Sequence, residues 1–195
     1  MVFNCFKSTL CVALLIVSVK AIAQDSKLSL EVNYPITFGN SYIGEAYDGI
    51  VDVGANYRLS ELNFVTIGTS LNAGVYKLQD DISPQLIDAY VYMIQPRAFG
   101  ELNIETLPRL HPKIGAGYTL VIYNLINSEP FANFDSNTET EGAINLNFSL
   151  AFDISSRLYI QAQYDFITFD FGFERPNPDI DDNFNIFKAG LGYRF

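Results

Sequence analysis

The stretch Phe187-Lys188-Ala189-Gly190-Leu191-Gly192-Tyr193-Arg194-Phe195 decides how the rest of this sequence is read. Taken at every second position, it splits into two sets. Phe187, Ala189, Leu191, Tyr193 and Phe195 are apolar or aromatic, whereas Lys188, Gly190, Gly192 and Arg194 are charged or small. A β-strand sends successive side chains to opposite faces. The segment therefore reads as a strand with one greasy face and one polar, roomy face. Fold and location both turn on which face meets the interior.

Earlier segments repeat the pattern. Leu28 to Phe38 sets Leu28, Leu30, Val32, Tyr34, Ile36 and Phe38 against Ser29, Glu31, Asn33, Pro35 and Thr37. Segments 49–58, 65–76, 89–102, 113–123, 143–154 and 157–169 alternate likewise, and the last strand reaches back to Phe184. Ala143 to Ile154 is the cleanest, with Ile144, Leu146, Phe148, Leu150, Phe152 and Ile154 on one side. Within Ala89 to Leu102, Pro96 has no N–H for a ladder bond and predicts a bulge or local break.

The connections alternate too. Leu59-Ser60-Glu61-Leu62 and Ser155-Ser156 are short, and Asn103 to Pro112 is of middle length with two prolines. The connections after the first, third, fifth and seventh segments are long and acidic or rich in Gly, Pro and Asn. Short turns at one end and long loops at the other predict an all-β, eight-stranded antiparallel up-and-down transmembrane β-barrel.

The orientation follows from what each face could pack. An eight-stranded barrel has an interior just wide enough for side chains. The minority face, with its Gly, Ser, Asn, Gln and charges, would make a poor apolar core. The majority face, exposed to water, would form an apolar belt far beyond what a soluble monomer tolerates. Turned to lipid, that belt is at home, and closure removes the unpaired strand edges. Tyr and Phe near the strand ends, such as Tyr57, Tyr164 and Tyr193, are expected to form interfacial girdles.

The N-terminus fits export. Met1 to Ala23 carries Lys7, an apolar run from Leu10 to Val19, and Ala21-Ile22-Ala23 before Gln24, the pattern of a signal peptide over 1–23. The run of about ten residues is short of the roughly 20 that a spanning helix needs. The barrel domain is then 24–195. Cys5 and Cys11 both fall in the leader, so no disulfide is expected to hold the exported chain. The formal net charge is −10, which excludes nucleic acid as a partner.

The signal, the alternating strands and the terminal Leu191, Tyr193 and Phe195 resemble the small outer-membrane β-barrel family, of the OmpA transmembrane-domain, OmpX and OmpW kind. The resemblance implies a location in the outer membrane, contact with lipid and lipopolysaccharide, and both termini in the periplasm. It also implies that Leu191, Tyr193 and Phe195 form the address read by the barrel-assembly machinery.

Candidate functional residues lie on the polar face. Glu31, Asp52, Arg58, Arg97, Glu101, Lys113, Asp153, Asp165, Lys188 and Arg194 balance in sign and are expected to pair inside the lumen. Such pairs could plug the barrel or gate a conduit; the narrow bore favours the plug. The loops carry Glu45, Asp48, Asp80, Asp81, Glu129, Asp135, Glu139, Glu141 and Glu174, with Asp179, Asp181 and Asp182 the densest cluster. That cluster lacks the glycine-turned twelve-residue calcium loop, so a solvated acidic surface is expected and no metal or cofactor is called for. His111 is the sole histidine and is placed in the turn between Pro108 and Pro112, with no nucleophile beside it; no enzyme is expected. The resulting expectation is a structural or surface-interaction protein of the outer membrane. A narrow porin-like channel for small or apolar solutes is the alternative.

Overall fold

A computed structural model describes residues 27–39, 41–79, 87–127, 137–169 and 183–195. The expected signal peptide lies outside the described residues, as do Asp80, Asp81, Glu129, Asp135, Glu174, Asp179, Asp181 and Asp182. The elements are β1 (Leu28–Phe38), the single-turn helix α1 (Tyr42–Ala46), β2 (Tyr47–Leu62), β3 (Val65–Leu78), β4 (Ile87–Leu102), β5 (Leu110–Asn127), β6 (Asn137–Asp153), β7 (Leu158–Thr168) and β8 (Asn183–Arg194). Each strand pairs antiparallel with its sequence neighbour, and β8 returns to β1 to close the barrel. The closing register runs from Ser29↔Arg194 to Phe38↔Asn185.

The faces fall as the alternation requires. Val32 is 57% exposed on the outer face, while Lys188 is 0% exposed on the inner one. Leu30, Ile67, Leu71, Ile114, Leu146, Phe148, Ile160 and Leu191 join Val32 outside. Aromatic pairs mark both ends of the belt. Tyr193 and Phe195 stack edge-on at 5.1 Å near the turns, where Arg157 Nη1 donates to the Tyr193 hydroxyl at 3.2 Å. Phe38 and Tyr164 lie 6.1 Å apart toward the loops, and the Tyr164 hydroxyl donates to Asn185 Oδ1 at 2.6 Å.

Strand ends depart from the alternation for physical reasons. β2 runs on through Leu59–Leu62, so the turn is Asn63-Phe64, with Asn63 at φ 48°. Asparagine tolerates that left-handed conformation better than most residues. β5 begins at Leu110, so His111 and Pro112 are in a strand and not in a turn. Pro112 lies beyond the last β4 partner of β5, where one side of the strand has no ladder to interrupt. The β5–β6 hairpin also continues past the apolar belt, pairing Val121 with Glu141 and Tyr123 with Glu139. Beyond the belt a strand needs no lipid-facing side, so apolar alternation stops marking it.

Pro96 makes no bulge, but the expected local break is there, on one side of the strand. Pro96 stays in register with Leu71 of β3, and toward β5 the ladder skips Gln95 and Pro96 while keeping one register. The register shifts lie in β2, at Gly49/Val51 and at Arg58/Ser60. The first faces Pro35 of β1. A Cβ on Gly49 would collide with the Pro35 carbonyl, so the close approach at this bulge requires glycine.

Candidate functional site

The interior is the site that the fold builds, and it has two unlike parts. At the middle of the barrel, Lys188 of β8 places Nζ 2.7 Å from Asp52 Oδ2 and 2.8 Å from Asp165 Oδ2. It also donates to Gln95 Oε1 at 3.0 Å. Arg97 of β4 meets the same Asp165 Oδ2 at 2.8 Å and donates to Gln95 Oε1 at 2.6 Å and to Asn145 Oδ1 at 2.8 Å. Asn33 and Asn72 each donate to Asp52 Oδ1 at 3.0 Å, and Asn147 donates to Asp165 Oδ1 at 2.7 Å. A charge removed from water needs partners for its remaining hydrogens and lone pairs. Here β1 to β8 all face one narrow space, so side chains distant in sequence can supply them.

Glu31 is held differently. Its carboxylate accepts from Asn72 at 3.0 Å, Gln163 at 2.8 Å and Asn56 at 2.8 Å. Asn56 in turn accepts from Lys113 Nζ at 3.0 Å, so an amide bridges this acid to the Lys113 ammonium.

Toward the turns the network opens. Arg58 Nη2 lies 3.0 Å from both oxygens of Glu101. Arg194 pairs with Asp153, and its guanidinium sits 4.6 Å from the Tyr159 ring centroid. Tyr159 lies where a Cβ on Gly192 would be, so both Gly192 and Arg194 of β8 accommodate that ring. Arg58, Glu101 and Arg194 border a basin of about 700 Å³ at the turn end, which Lys27, Glu61 and His111 also line.

His111 is the residue that sequence reasoning misplaced. It lies on the inner face of β5, with Nε2 2.9 Å from Asp153 Oδ2 and Nδ1 3.7 Å from Glu101 Oε1. The signal was available: His111 shares parity with Lys113, Gly115 and Thr119, and the two prolines masked one further step of alternation. Ser149 borders the same inner cavity as His111, but Ser149 Oγ and His111 Nδ1 have no hydrogen-bond partner, so no nucleophile–base bond joins them.

The listless polarity expected for the whole inner face ends toward the loops. Tyr47, Tyr76, Ala89, Val91, Met93, Val121, Ala143, Ile167, Phe184 and Ile186 form a buried apolar cluster together with Ala46 of α1. Leu78, Tyr123 and Phe169 pack against it. The Tyr76 hydroxyl, buried in this cluster, has no protein partner. The interior is therefore polar and ion-paired from the turns to the middle, and apolar above.

Every lumen charge inferred from sequence lies on this inner face: Glu31, Asp52, Arg97, Glu101, Asp165, Lys188 and Arg194 are buried, and Arg58, Lys113 and Asp153 are partly so. Leu191 and Tyr193 point outward, and the Phe195 N–H donates to the Leu28 carbonyl at 3.1 Å, pinning the chain end to β1. Among the described residues no cluster of His, Cys, Asp and Glu could hold a metal ion.

The family model for the outer membrane protein beta-barrel domain matches residues 9–195. Among solved structures, the chain is similar to Neisserial surface protein A of Neisseria, with a TM-score of 0.58 at 15% identity over 86% of this chain and 96% of that one. It is similar to Ail, the attachment invasion locus protein of Yersinia pestis, in complex with the heparin analogue sucrose octasulfate, with a TM-score of 0.56 at 16% identity over 86% and 96%. A major outer membrane protein from Thermus thermophilus gives a TM-score of 0.52 at 12% identity over 86% and 99%. At these identities the likeness is one of fold. No curated sequence matches this chain.

Proposed function

Because the chain belongs to the outer membrane protein β-barrel domain family and resides in the outer membrane, we propose that it is a closed, non-catalytic barrel with a structural and surface-contact role. The observation that carries this reading is the doubly filled lumen. The Lys188–Asp52–Asp165–Arg97 network fills the middle, and the cluster around Tyr47, Tyr76 and Met93 fills the loop end. An ion crossing would have to break buried charge pairs and then pass a layer of mostly apolar side chains. Planar-bilayer recording tests this. The protein is expected to stay silent; discrete openings would overturn the closed-lumen reading and favour the narrow channel.

Surface contact falls to the loops and their acidic residues. Glu45 and Asp48 belong to the described part of that surface. Carboxylates suit cationic partners, or divalent ions that bridge to the phosphates of lipopolysaccharide. The same charge disfavours a polyanion such as the sucrose octasulfate bound to Ail.

Leu191, Tyr193 and Phe195 serve in this reading as the address for the barrel-assembly machinery. Deletion of Phe195 is expected to lower the membrane-inserted fraction in cells while spontaneous refolding into detergent changes little. Unchanged insertion would remove Phe195 from that role.

A further inference from the structure

We propose that the turn-end half of the lumen contains a binding site for one monatomic anion of chloride size. The site is a cavity of about 10 Å³ just inside the basin, bordered by Arg58, Glu101, His111, Lys113, Ser149 and Arg194. That is room for one small particle.

The lining has hydrogen-bond capacity that the protein does not use. Ser149 Oγ and Arg194 Nε are buried atoms without a hydrogen-bond partner. Ser149 is 9% and Arg194 8% exposed, and these two atoms themselves are enclosed. Lys113 adds to this surplus. Its ammonium donates to Asn56 Oδ1 at 3.0 Å and lies 5.1 Å from the Phe99 centroid, and no ion pair is formed by it among the described residues. An ammonium has three hydrogens to give.

The nearby acceptors are already engaged. Glu101 takes three contacts from Arg58, at 3.0, 3.0 and 3.3 Å. Asp153 accepts from Arg194 and contacts His111, and Glu31 accepts from three amides. Uncommitted donors therefore remain at Arg194 Nε, Ser149 Oγ and Lys113 Nζ. Arg194 Nε and Lys113 Nζ can only donate. A water would satisfy some of them but would bring two hydrogens of its own that need acceptors. A halide brings none and accepts from several directions. The basin outside shares Arg58, Glu101, His111 and Arg194 with the cavity and supplies the entry path. The chain as a whole carries a formal charge of −10, so anion affinity would trace to this lining and not to bulk charge.

The test compares thermal unfolding of the barrel in phospholipid nanodiscs in sodium chloride, sodium bromide and sodium gluconate at equal ionic strength. Binding to the folded state alone makes the midpoint climb with the logarithm of halide concentration and leaves it flat in gluconate. Ser149→Ala removes a hydroxyl that no protein group uses, so its midpoint in gluconate should match wild type while the halide-dependent rise is lost. Lys113→Met should also lose the rise. Crystals grown in bromide should show an anomalous peak within hydrogen-bond reach of Ser149 Oγ and Arg194 Nε. Equal midpoints in halide and gluconate would overturn the proposal, and so would a halide effect that persists in both variants. Neither result bears on bilayer conductance, so this site and the closed lumen fail separately.

Discussion

Ile186 and Lys188 sit two residues apart on the inner face of β8, and both are 0% exposed. One belongs to the apolar cap, the other to the ion network. The two halves of the lumen are thus built on the same strands, at the same parity, by opposite chemistry. The cap is filled by volume: its members need only fit, and neighbours can shift to take up small changes. The network is filled by direction. Lys188, Asp52, Asp165 and Arg97 each depend on particular atoms of the others. Removing one apolar group from the cap leaves a small cavity, whereas removing one charge from the network leaves others buried without compensation. Fragility, more than net contribution to stability, should separate the halves.

The sharpest way to break that comparison is Lys188→Met. It is similar in length and keeps the space filled, but leaves Asp52 and Asp165 facing each other across a site that water does not reach. A loss of roughly 3–5 kcal/mol is expected, read from urea unfolding in lipid vesicles. Adding Asp52→Asn should recover part of it, because Asp165 keeps Arg97 as its counter-ion and no excess acid is left; the non-additivity measures the coupling. A single-variant loss below about 1 kcal/mol would place the network in the class of weak surface pairs.

Ile186→Val is the matched change in the cap. It removes one methylene and leaves every hydrogen bond in place, so a loss of roughly 0.5–1.5 kcal/mol is expected in the same assay. If it equalled the Lys188→Met loss, the distinction between filling by volume and filling by direction would fail.

The same contrast explains what could be read from sequence. The belt and the lumen charges were legible because Lys188, Asp165 and Asp52 stand out against apolar neighbours at odd and even positions. The strand order followed from the spacing of short and long connections. The cap was not legible. Val91 and Met93 lie between Tyr90, Tyr92 and Ile94, and Ile186 lies beside Phe187, so inner and outer residues are apolar alike and period two vanishes. His111 was hidden by the opposite effect. Pro108 and Pro112 signalled a turn, yet Pro112 tolerates a strand position that lacks a β4 partner. Which charge meets which is a matter of barrel closure: Lys188 reaches Asp52 across a sequence separation of 136 residues, and no local pattern encodes that choice.

The smallest effect is expected where the network opens to the basin. Arg58 and Glu101 form a forked pair at 3.0 Å, with side chains 15% and 9% exposed, and both border the 700 Å³ space at the turn end. Water and salt can enter there, so removing Arg58 lets Glu101 recover hydration that Asp52 and Asp165 cannot obtain. Arg58→Met should therefore cost about 1 kcal/mol or less. Screening supplies the sharper test. The ions of a concentrated salt solution weaken an accessible pair and leave an enclosed one nearly untouched. The Arg58→Met loss should shrink as sodium gluconate is raised, while the Lys188→Met loss stays constant. Gluconate is the suitable salt because it is too large for the small cavity beside Ser149. If both losses shrank together, water would reach the middle of the lumen as freely as its mouth, and the two-part interior would have to be given up in favour of one continuous wet bore.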